Sequence, residues 1–397
     1  MEIIVQKYGG SSVADVPRLE QVADRIVKTA QEGKRVCVVV SAMGRTTDDL
    51  IRLARQVTDA PPRRELDMLL STGERISMAL LAMAIQKRGY EAISFTGSQS
   101  GIITNDRHSG ARIIEVRPIR IQDELEQNKI VIVAGFQGMS YKREITTLGR
   151  GGSDTTAVAL AAALGASHCE ICSDVDGIFT ADPHLVQTAR RLESISYDEM
   201  QELAEHGAKV LNAQAVEWAR KAGIQIHARG THLQGNGTYV SASTSGANAC
   251  GVAVAKNLVR LRLSESAASL GQTLAESGVS LWRLVDDHKG AVAVFSLDDL
   301  PDWPALRQAL LCRFGTEIQI EEELSAVSIV GTGLGPATEI DRALSMARGS
   351  NIKILGVDTS PLRLTLFTLQ GESSRLAQIF HQAFIDPPGI GPNTLGE

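Results

Sequence analysis

The sequence predicts a layered α/β domain with a central, mainly parallel sheet, followed by two small α+β modules. From residue 1 to about residue 229, apolar strand-like runs alternate with segments whose apolar residues are spaced for one face of a helix. Residues 230–249 are rich in Gly, Ser, Thr and Asn and have little periodicity, which favours a linker. Beyond them, over residues 250–385, the order strand, helix, strand, strand, helix, strand occurs twice.

In the first domain, residues 3–7 form the first predicted strand. The helix that follows has Pro17 near its start and Gly33 just past its end. Residues 36–40 are a continuous, mostly β-branched run, which predicts a fully buried strand. Residues 78–86 are apolar nearly all round, which predicts a helix internal to the packing. Further strands are predicted at residues 92–95, 130–134, 169–173 and 224–228, and a further helix at residues 155–164.

In the second half, strands are predicted at residues 258–263, 279–285, 291–295 and 318–322, with helices at 267–277 and 304–314. The repeat of this order has strands at residues 326–330, 352–357 and 362–369, with helices at 338–347 and 373–384. The tail, residues 386–397, contains several prolines and is predicted to be disordered.

Composition excludes several classes of protein. The 397 residues are 43% hydrophobic, enough for more than one packed domain. A formal net charge of -6 argues against a nucleic-acid or anionic-membrane partner. No apolar run approaches the roughly 18 residues of a membrane helix, and the N-terminus lacks the features of a signal peptide. The five cysteines are an odd, scattered set, which predicts a cytoplasmic protein; Cys169 and Cys172 are interpreted as small core residues.

Glycine-rich or acidic turns follow the predicted strands, where ligand crevices of α/β sheets form. In the first, Lys7 precedes Gly9 and Gly10, and could bind phosphate or form a plain turn. In residues 146–156, small and hydroxyl residues open an Ala-rich helix, and Arg150 could contact a carboxylate or phosphate. In residues 173–183, acidic side chains such as Asp174 could orient nucleotide hydroxyls or the waters around Mg²⁺. They could also serve only to form turns.

Familiar nucleotide and protease signatures are absent. Gly33-Lys34 is followed by Arg35, so there is no P-loop, and the protein-kinase H-R-D and D-F-G motifs do not occur. Residues 331–336 resemble a dinucleotide loop but end in Pro336, and are interpreted as a turn. No H-E-x-x-H is present.

Several blocks in residues 1–229 resemble the aspartokinases in order and spacing. These blocks are K-Y-G-G-S-S at 7–12, V-V-S-A-M at 39–43, S-T-G-E-R at 71–75, F-T-G at 95–97, V-A-G-F-Q-G at 133–138, residues 146–156, and S-D-V-D-G at 173–177. The resemblance implies a three-layer amino-acid-kinase fold and phosphorylation of the side-chain carboxylate of L-aspartate by ATP with Mg²⁺. A carboxylate nucleophile has a pKa of about 4 and is already ionised at neutral pH, so no general base is required.

The resemblance also implies residue roles. Lys7 and Asp174 would be catalytic. The substrate-binding positions would be Thr47, Glu74, Arg150, Gly151, Gly152 and Ser153. The ATP-binding positions would be Lys7, Tyr8, Gly9, Gly10, Ser41, Ser173, Asp174, Phe179, Asp182, His184 and Lys209. No residue is expected to be a dedicated metal ligand.

The chain departs from the family at His184, where Arg is usual, and at Phe179, where Tyr is usual. The second half resembles the paired ACT regulatory domains, but residues 264–268 lack the usual Pro-Gly turn. The resemblance to ACT domains implies a homodimer formed through these modules. Because the turn is missing, the binding of lysine or threonine stays open.

Two alternatives to an active aspartokinase stay open. One is an enzyme of the same fold that phosphorylates a different acid, such as an aspartate analogue. The other is a regulatory partner that binds nucleotide or effector without turnover.

Overall fold

The computed structural model describes residues 1–233, 235–243, 249–264, 267–287, 290–298, 300 and 302–386. The chain divides into two compact units. The larger contains residues 1–178, 191–204 and 209–245, and the smaller contains residues 179–190, 205–208 and 246–397. Residues 387–397 of the predicted disordered tail lie outside the described part of the chain, whereas Asp386 is placed and pairs with Arg190 at 2.8 Å.

The larger unit is built on two sheets flanked by helices. Its strands are β1 (Ile3–Tyr8), β2 (Arg35–Val40), β3 (Ala92–Phe95), β4 (Ile102–Thr104), β5 (Ile113–Val116), β6 (Ile130–Ala134), β7 (Gln137–Ser140), β8 (Ile145–Thr147), β9 (His168–Ser173), β10 (Ser194–Ser196), β11 (Gln225–Gly230) and β12 (Thr238–Ser241). Its helices are α1 (Val16–Gln31), α2 (Thr46–Val57), α3 (Arg63–Leu70), α4 (Thr72–Gln86), α5 (Ile119–Glu126), α6 (Gly152–Leu164), α7 (Tyr197–Glu205) and α8 (Ala213–Ala222).

The main sheet has eight strands in the order β10-β12-β11-β9-β1-β2-β6-β3. All neighbouring pairs are parallel except β11 with β12, so the predicted parallel α/β layer is confirmed. Part of the predicted linker is wrong, because Thr238–Ser241 forms strand β12 of this sheet. A short, polar strand at this position carries too few apolar residues to stand out from a linker. A smaller sheet has the order β5-β4-β7-β8.

The local sequence explains the helices around the sheet. Asp15 caps α1 by accepting a hydrogen bond from the backbone N–H of Arg18, and Pro17 lies in the first turn. Helix α6 is buried almost all round, which its run of alanines permits. The helix predicted at residues 78–86 lies within α4, and most of its apolar side chains are buried against the sheet, whereas Met83 is exposed.

The helical stretch Arg63–Gln86 is long and apolar enough to cross a membrane by length and composition, and it is the one such segment among the described residues. Its side chains Leu81 and Ile85 are fully buried in the cluster between α1 and the sheet. This packing is that of a core helix.

The smaller unit is one six-stranded antiparallel sheet with helices. Its strands are β13 (Gly251–Leu263), β14 (Leu281–Asp287), β15 (Gly290–Ser296), β16 (Ile318–Val330), β17 (Gly356–Ser360) and β18 (Arg363–Leu369). Its helices are α9 (Ala267–Glu276), α10 (Trp303–Phe314), α11 (Ala337–Gly349) and α12 (Ser373–Phe380).

The two α+β modules share their central strands. The sheet order is β14-β15-β13-β16-β18-β17, and β13 pairs with β16 from Gly251↔Val330 to Leu263↔Ile318 with register shifts near Leu258. The predicted separate strands at residues 318–322 and 326–330 are thus one strand, and β13 begins earlier than predicted. The polar residues in the middle of β16 interrupt its apolar pattern, so the sequence indicates two strands instead of one.

Candidate active site

The turns after five parallel strands meet at one edge of the main sheet. Because β6, β2, β1, β9 and β11 are parallel neighbours, their carboxyl ends lie together. Backbone hydrogen bonds then join the turns. Gly44 donates to the carbonyl of Gly10 at 3.0 Å, Gly9 donates to the carbonyl of Cys172 at 3.2 Å, and Thr231 donates to the carbonyl of Ser173 at 2.7 Å. The predicted convergence of these motifs is therefore present in the structure.

At the centre of this edge, Lys7 forms a largely buried ion pair. Its Nζ lies 2.6 Å from Oδ1 of Asp154, and the two side chains are 12% and 9% exposed. Asp154 lies in the first turn of α6, so the ammonium is held beside a helix N-terminus, where anions bind. Asp154 is absent from the site residues selected above. The signal that could have identified it is an acidic residue in the opening turn of an Ala-rich helix.

The glycine-rich turn after β1 packs directly against the turn after β2. A Cβ atom on Gly10 would lie 2.8 Å from the carbonyl oxygen of Ala42, and a Cβ on Gly9 would lie 3.5 Å from Nζ of Lys7. A side chain at Gly10 would therefore force backbone to move. The structure places Gly9 beside the ammonium and Gly10 against the turn after β2, and their role as a phosphate cradle stays a prediction.

The side chain of Tyr8 lies in the core, so a contact of this residue with ATP stays a prediction for its backbone alone. Its ring is fully buried in the core cluster, and its hydroxyl donates to Oε1 of Gln6 at 3.3 Å. Successive residues of a strand point to opposite faces, so Lys7 and Tyr8 project to different sides of the sheet.

Glu74 is a buried carboxylate next to the Ser41–Thr47 turn. Only 2% of the residue is exposed, and its Oε1 accepts a hydrogen bond from the backbone N–H of Ala42 at 3.1 Å. Its Oε2 has no hydrogen-bond partner among the residues that the structure describes. Burial raises the pKa of Glu74 to about 7. An unpaired oxygen of this kind suits a cationic group of a ligand.

The neighbouring turn is fixed by the same helix. Ser77 of α4 donates a hydrogen bond to the carbonyl of Ser41 at 2.7 Å. Ser41 and Thr47 are half-buried, so both can contact a small ligand. The structure thus brings Ser41, Thr47 and Glu74 into one region of the sheet edge.

The loop that enters α6 has a strained, close-packed backbone. Gly151 adopts a φ of +71°, and a Cβ there would lie 2.5 Å from Nδ2 of Asn212. Asn212 also donates to the carbonyl of Arg150 at 2.9 Å. Gly152 and Ser153 are buried, whereas the Arg150 side chain is exposed. The loop therefore places the exposed guanidinium of Arg150 beside the closely packed first turn of α6.

Phe136, after β6, has a φ of +67° although it is not glycine. Such a backbone costs of order 1 kcal/mol or more and is often found at functional sites. Its N–H donates to Oγ1 of Thr156 at 3.2 Å, and its carbonyl accepts from Leu148 at 2.9 Å. The bend thus connects β6 to the start of the loop before α6 and to α6 itself.

On the other side of Lys7 lies the turn after β9. The Ser173 hydroxyl and the backbone of Val175 exchange hydrogen bonds at 3.1 and 3.2 Å. Asp176 accepts from the backbone N–H of Gly230 at 3.0 Å, and Asp174 is exposed at the same turn. Lys209 is exposed between α7 and α8. Asp174 is thus available to a ligand, and Asp176 fixes the turn.

Three predicted ATP-binding residues, Phe179, Asp182 and His184, belong to the smaller unit. Asp182 accepts a hydrogen bond from the backbone N–H of His184 at 2.9 Å, and both are exposed. Their role toward the nucleotide stays a prediction.

The two cysteines of the C-x-x-C are core residues, as interpreted from the sequence. Cys169 and Cys172 are fully buried, and burial raises the pKa of Cys172 to about 12. Among the described residues, no group of three or more His, Cys, Asp or Glu side chains is arranged to hold a metal ion.

The arrangement suits phosphoryl transfer to a small anionic acceptor. A fixed ammonium, a glycine turn and a helix N-terminus can hold phosphate groups, and Glu74 can hold a cation of the acceptor. Transfer of this kind depends on positioning and charge neutralisation.

Comparison with known proteins agrees with this chemistry. A model of the amino acid kinase family matches residues 2–229. The aspartokinase of Mycolicibacterium smegmatis is 44% identical over 408 residues, covering 97% of this chain and 96% of the relative. The structure of E. coli aspartokinase III in complex with aspartate and ADP (R-state) has a TM-score of 0.86 at 25% identity, covering 97% of this chain and 100% of that chain. The same protein in complex with lysine and aspartate (T-state) has a TM-score of 0.74 at 26% identity, covering 97% and 100%. Given the family match and a relative of this identity along nearly its whole length, the chain belongs to the aspartokinases of the amino acid kinase family.

Proposed function

We propose that this enzyme transfers the γ-phosphoryl group of ATP to the side-chain carboxylate of L-aspartate, giving 4-phospho-L-aspartate and ADP. The observation that carries the proposal is the ion pair of Lys7 and Asp154 at the start of α6, beside the turn of Gly9 and Gly10. The aspartate and ADP bound to the E. coli relative support the same pair of ligands here.

The reaction needs little from the side chains beyond positioning. An aspartate carboxylate oxygen forms a bond to the γ-phosphorus while the bond from that phosphorus to the β,γ-bridging oxygen breaks, and ADP leaves with the electron pair. Lys7 offsets charge on the phosphoryl oxygens, and Asp154 holds the Lys7 ammonium in place. The acceptor is already ionised, so no proton needs to be removed.

The acceptor subsite is assigned to one side of Lys7. Glu74 would accept hydrogen bonds from the aspartate ammonium through its unpartnered Oε2. Thr47 would contact the same substrate, and Arg150 with residues 151–153 would hold its carboxylates. In this assignment the substrate ammonium binds an acidic side chain, and the substrate carboxylates bind a basic side chain and the start of α6.

The nucleotide subsite of the larger unit is assigned to Ser41, Ser173, Asp174 and Lys209. Phe179, Asp182 and His184, which belong to the smaller unit, stay predicted ATP-binding residues. The family usually has Arg where this chain has His184, and Tyr where it has Phe179. A weaker affinity for ATP is therefore expected. Mg²⁺ would enter with the ATP phosphates: Asp174 is exposed at the turn and could contact its waters, and Mg²⁺ commonly keeps several waters and one or two carboxylates.

The smaller unit would form the interface of a homodimer. The enzyme would act in the cytoplasm. It would catalyse the first step from aspartate toward lysine, threonine and methionine, or toward a specialised metabolite. The E. coli relative binds lysine in one of its structures. Because residues 264–268 lack the family turn, we propose that the response to lysine and threonine is altered or lost. Strong inhibition by low concentrations of either amino acid in a kinase assay would contradict this.

One experiment tests the proposed reaction. Wild type and Lys7→Ala are incubated with ATP and L-aspartate, and the acyl phosphate is trapped with hydroxylamine. The expected result is hydroxamate from the wild type and a loss of at least about 100-fold in the variant. No product from the wild type would favour a different acceptor or a partner without turnover, and equal product from the variant would remove Lys7 from the mechanism.

A further inference from the structure

The sheet of the smaller unit lines an open cavity of about 190 Å³ to which all six strands contribute residues. The strands β14 and β17 are at opposite edges of the sheet, yet Nη1 of Arg283 on β14 donates to the carbonyl of Val357 on β17 at 2.7 Å. The sheet is therefore strongly curled. Its concave face lines the cavity, while its other face packs on the helices.

The alternation along β13 places arginines on the concave face. Val259, Leu261 and Leu263 are buried in the cluster formed with the helices. Arg260 and Arg262 point the other way, into the cavity, where Arg283 joins them. The remaining wall is largely apolar and includes Val285, Val294, Leu324 and Phe367. The cavity thus combines guanidinium groups with an apolar surface.

Two carboxylates among the described residues pair with the arginines in and beside the cavity. Glu321 accepts from Nε of Arg260 at 2.9 Å and from Nε of Arg262 at 3.1 Å. Asp358 lies 3.7 Å from Arg283 and 2.9 Å from Arg363. Each of these two carboxylates is thus shared by two arginines.

Arg262 has donors to spare. Its side chain is 46% exposed, and its two Nη groups have no hydrogen-bond partner in the part of the chain that the structure describes. Guanidinium groups bind carboxylates through two parallel hydrogen bonds. A carboxylate at this position would accept hydrogen bonds from the two Nη groups.

We propose that this cavity binds a small carboxylate that carries an apolar body. A cavity of about 150 Å³ holds a benzene-sized molecule, so the body has roughly six carbon atoms. The carboxylate binds at Arg262 and Arg283, and the apolar body contacts Leu324 and Phe367. An α-amino group is not favoured, because Glu321 and Asp358 are each already paired with two arginines.

The test is calorimetric titration of the full-length chain with 4-methylpentanoate, its neutral analogue 4-methylpentanamide, and leucine. We expect saturable binding of the carboxylate and at least about tenfold weaker binding of the amide and of leucine. Because binding is the readout, the result does not depend on the proposed kinase reaction. Absence of saturable binding by the carboxylate, or equal binding of the amide, would overturn the proposal.

Arg262→Gln should weaken binding of 4-methylpentanoate about tenfold, and Arg262→Lys should weaken it less. The matched control is Arg307→Gln, which removes an equally exposed guanidinium (48%) that pairs with Glu322 and does not line the cavity. Thermal unfolding establishes that each variant is folded. If Arg262→Gln binds as the wild type does, the site is wrong; if it does not fold, the comparison of acid and amide on the wild type decides.

Discussion

The ammonium of Lys7 and the carboxylate of Asp154 lie 2.6 Å apart, and they connect the end of β1 to the first turn of α6. This contact joins the phosphate-binding turn to the helix start proposed to hold the acceptor. Both groups are mostly removed from water, so their attraction is screened less than that of a surface pair. A change at Asp154 should therefore move or release Lys7.

We expect Asp154→Asn to lower kcat by about tenfold to 100-fold, with a smaller change in KM for aspartate, because the acceptor subsite keeps its own groups. Steady-state kinetics measures this split. Asp106→Asn is the control, since Asp106 also pairs with a lysine, Lys142, but both side chains are exposed (58% and 72%). Unchanged kcat in a folded Asp154→Asn variant would remove this role.

Gly10→Ala tests the close approach of the two turns. The added Cβ would lie 2.8 Å from the carbonyl oxygen of Ala42, so the phosphate-binding turn must shift. Because misplacement by about 1 Å can reduce a rate about 100-fold, kcat/KM for ATP should fall by roughly that factor. Gly349→Ala is the control, since its Cβ would meet no atom within 4 Å. Kinetics of both folded variants checks the prediction, and wild-type kcat/KM in Gly10→Ala would contradict it.

The proposed function of Glu74 predicts a pH dependence of aspartate binding. Burial raises the pKa of Glu74 to about 7 in the free enzyme, so the carboxylate that would accept the substrate ammonium is formed only above that pH. KM for aspartate should therefore rise as the pH falls below about 7. In Glu74→Gln, KM should be higher at pH 8 and should vary little between pH 6 and pH 8. A wild-type pH profile retained in this variant would contradict the assignment.

The same residue predicts an effect on stability with a defined sign. The folded-state pKa of Glu74 is above its value of 4.5 in the unfolded chain, so its ionisation reduces stability as the pH rises from about 4.5 to 7. Glu74→Gln should then raise the free energy of unfolding at pH 8 by up to about 3 kcal/mol and leave it nearly unchanged at pH 4. Denaturant unfolding at both pH values measures the difference. Glu65→Gln, at an exposed position (63%), should show no such gain.

The parallel sheet and most of the site turns could be predicted because buried strands read as continuous apolar runs, as in Arg35–Val40 and Ile130–Ala134. Strand β12 could not, since Thr238–Ser241 carries too little apolar pattern. Asp154 was missed because its importance comes from a partner distant in sequence. The burial of the Tyr8 side chain could not be read from the motif, because the pleat of a strand places the side chains of adjacent residues on opposite faces.

A final prediction concerns Asp67, a fully buried carboxylate on α3. It accepts hydrogen bonds from Oγ1 of Thr147 at 2.5 Å and from the backbone N–H of Ser109 at 3.1 Å, and Nδ1 of His108 lies 2.7 Å from it. Thr147 ends β8, just before the loop that carries Arg150, so Asp67 holds the base of that loop.

Asp67→Asn replaces one carboxylate oxygen, which accepts hydrogen bonds, with an amide NH₂, which donates them. The neighbouring N–H and O–H groups are themselves donors, so they would lose an acceptor. We expect a loss of about 1–3 kcal/mol in the free energy of unfolding, since buried donors are left without an acceptor. If Asp67 also positions the loop, KM for aspartate should rise severalfold while KM for ATP stays near the wild-type value. Asp198→Asn, at an exposed position (59%), is the control. A stability loss with both KM values unchanged would limit Asp67 to a structural role, because a purely structural defect lowers the amount of folded enzyme without altering the affinity of the molecules that remain folded.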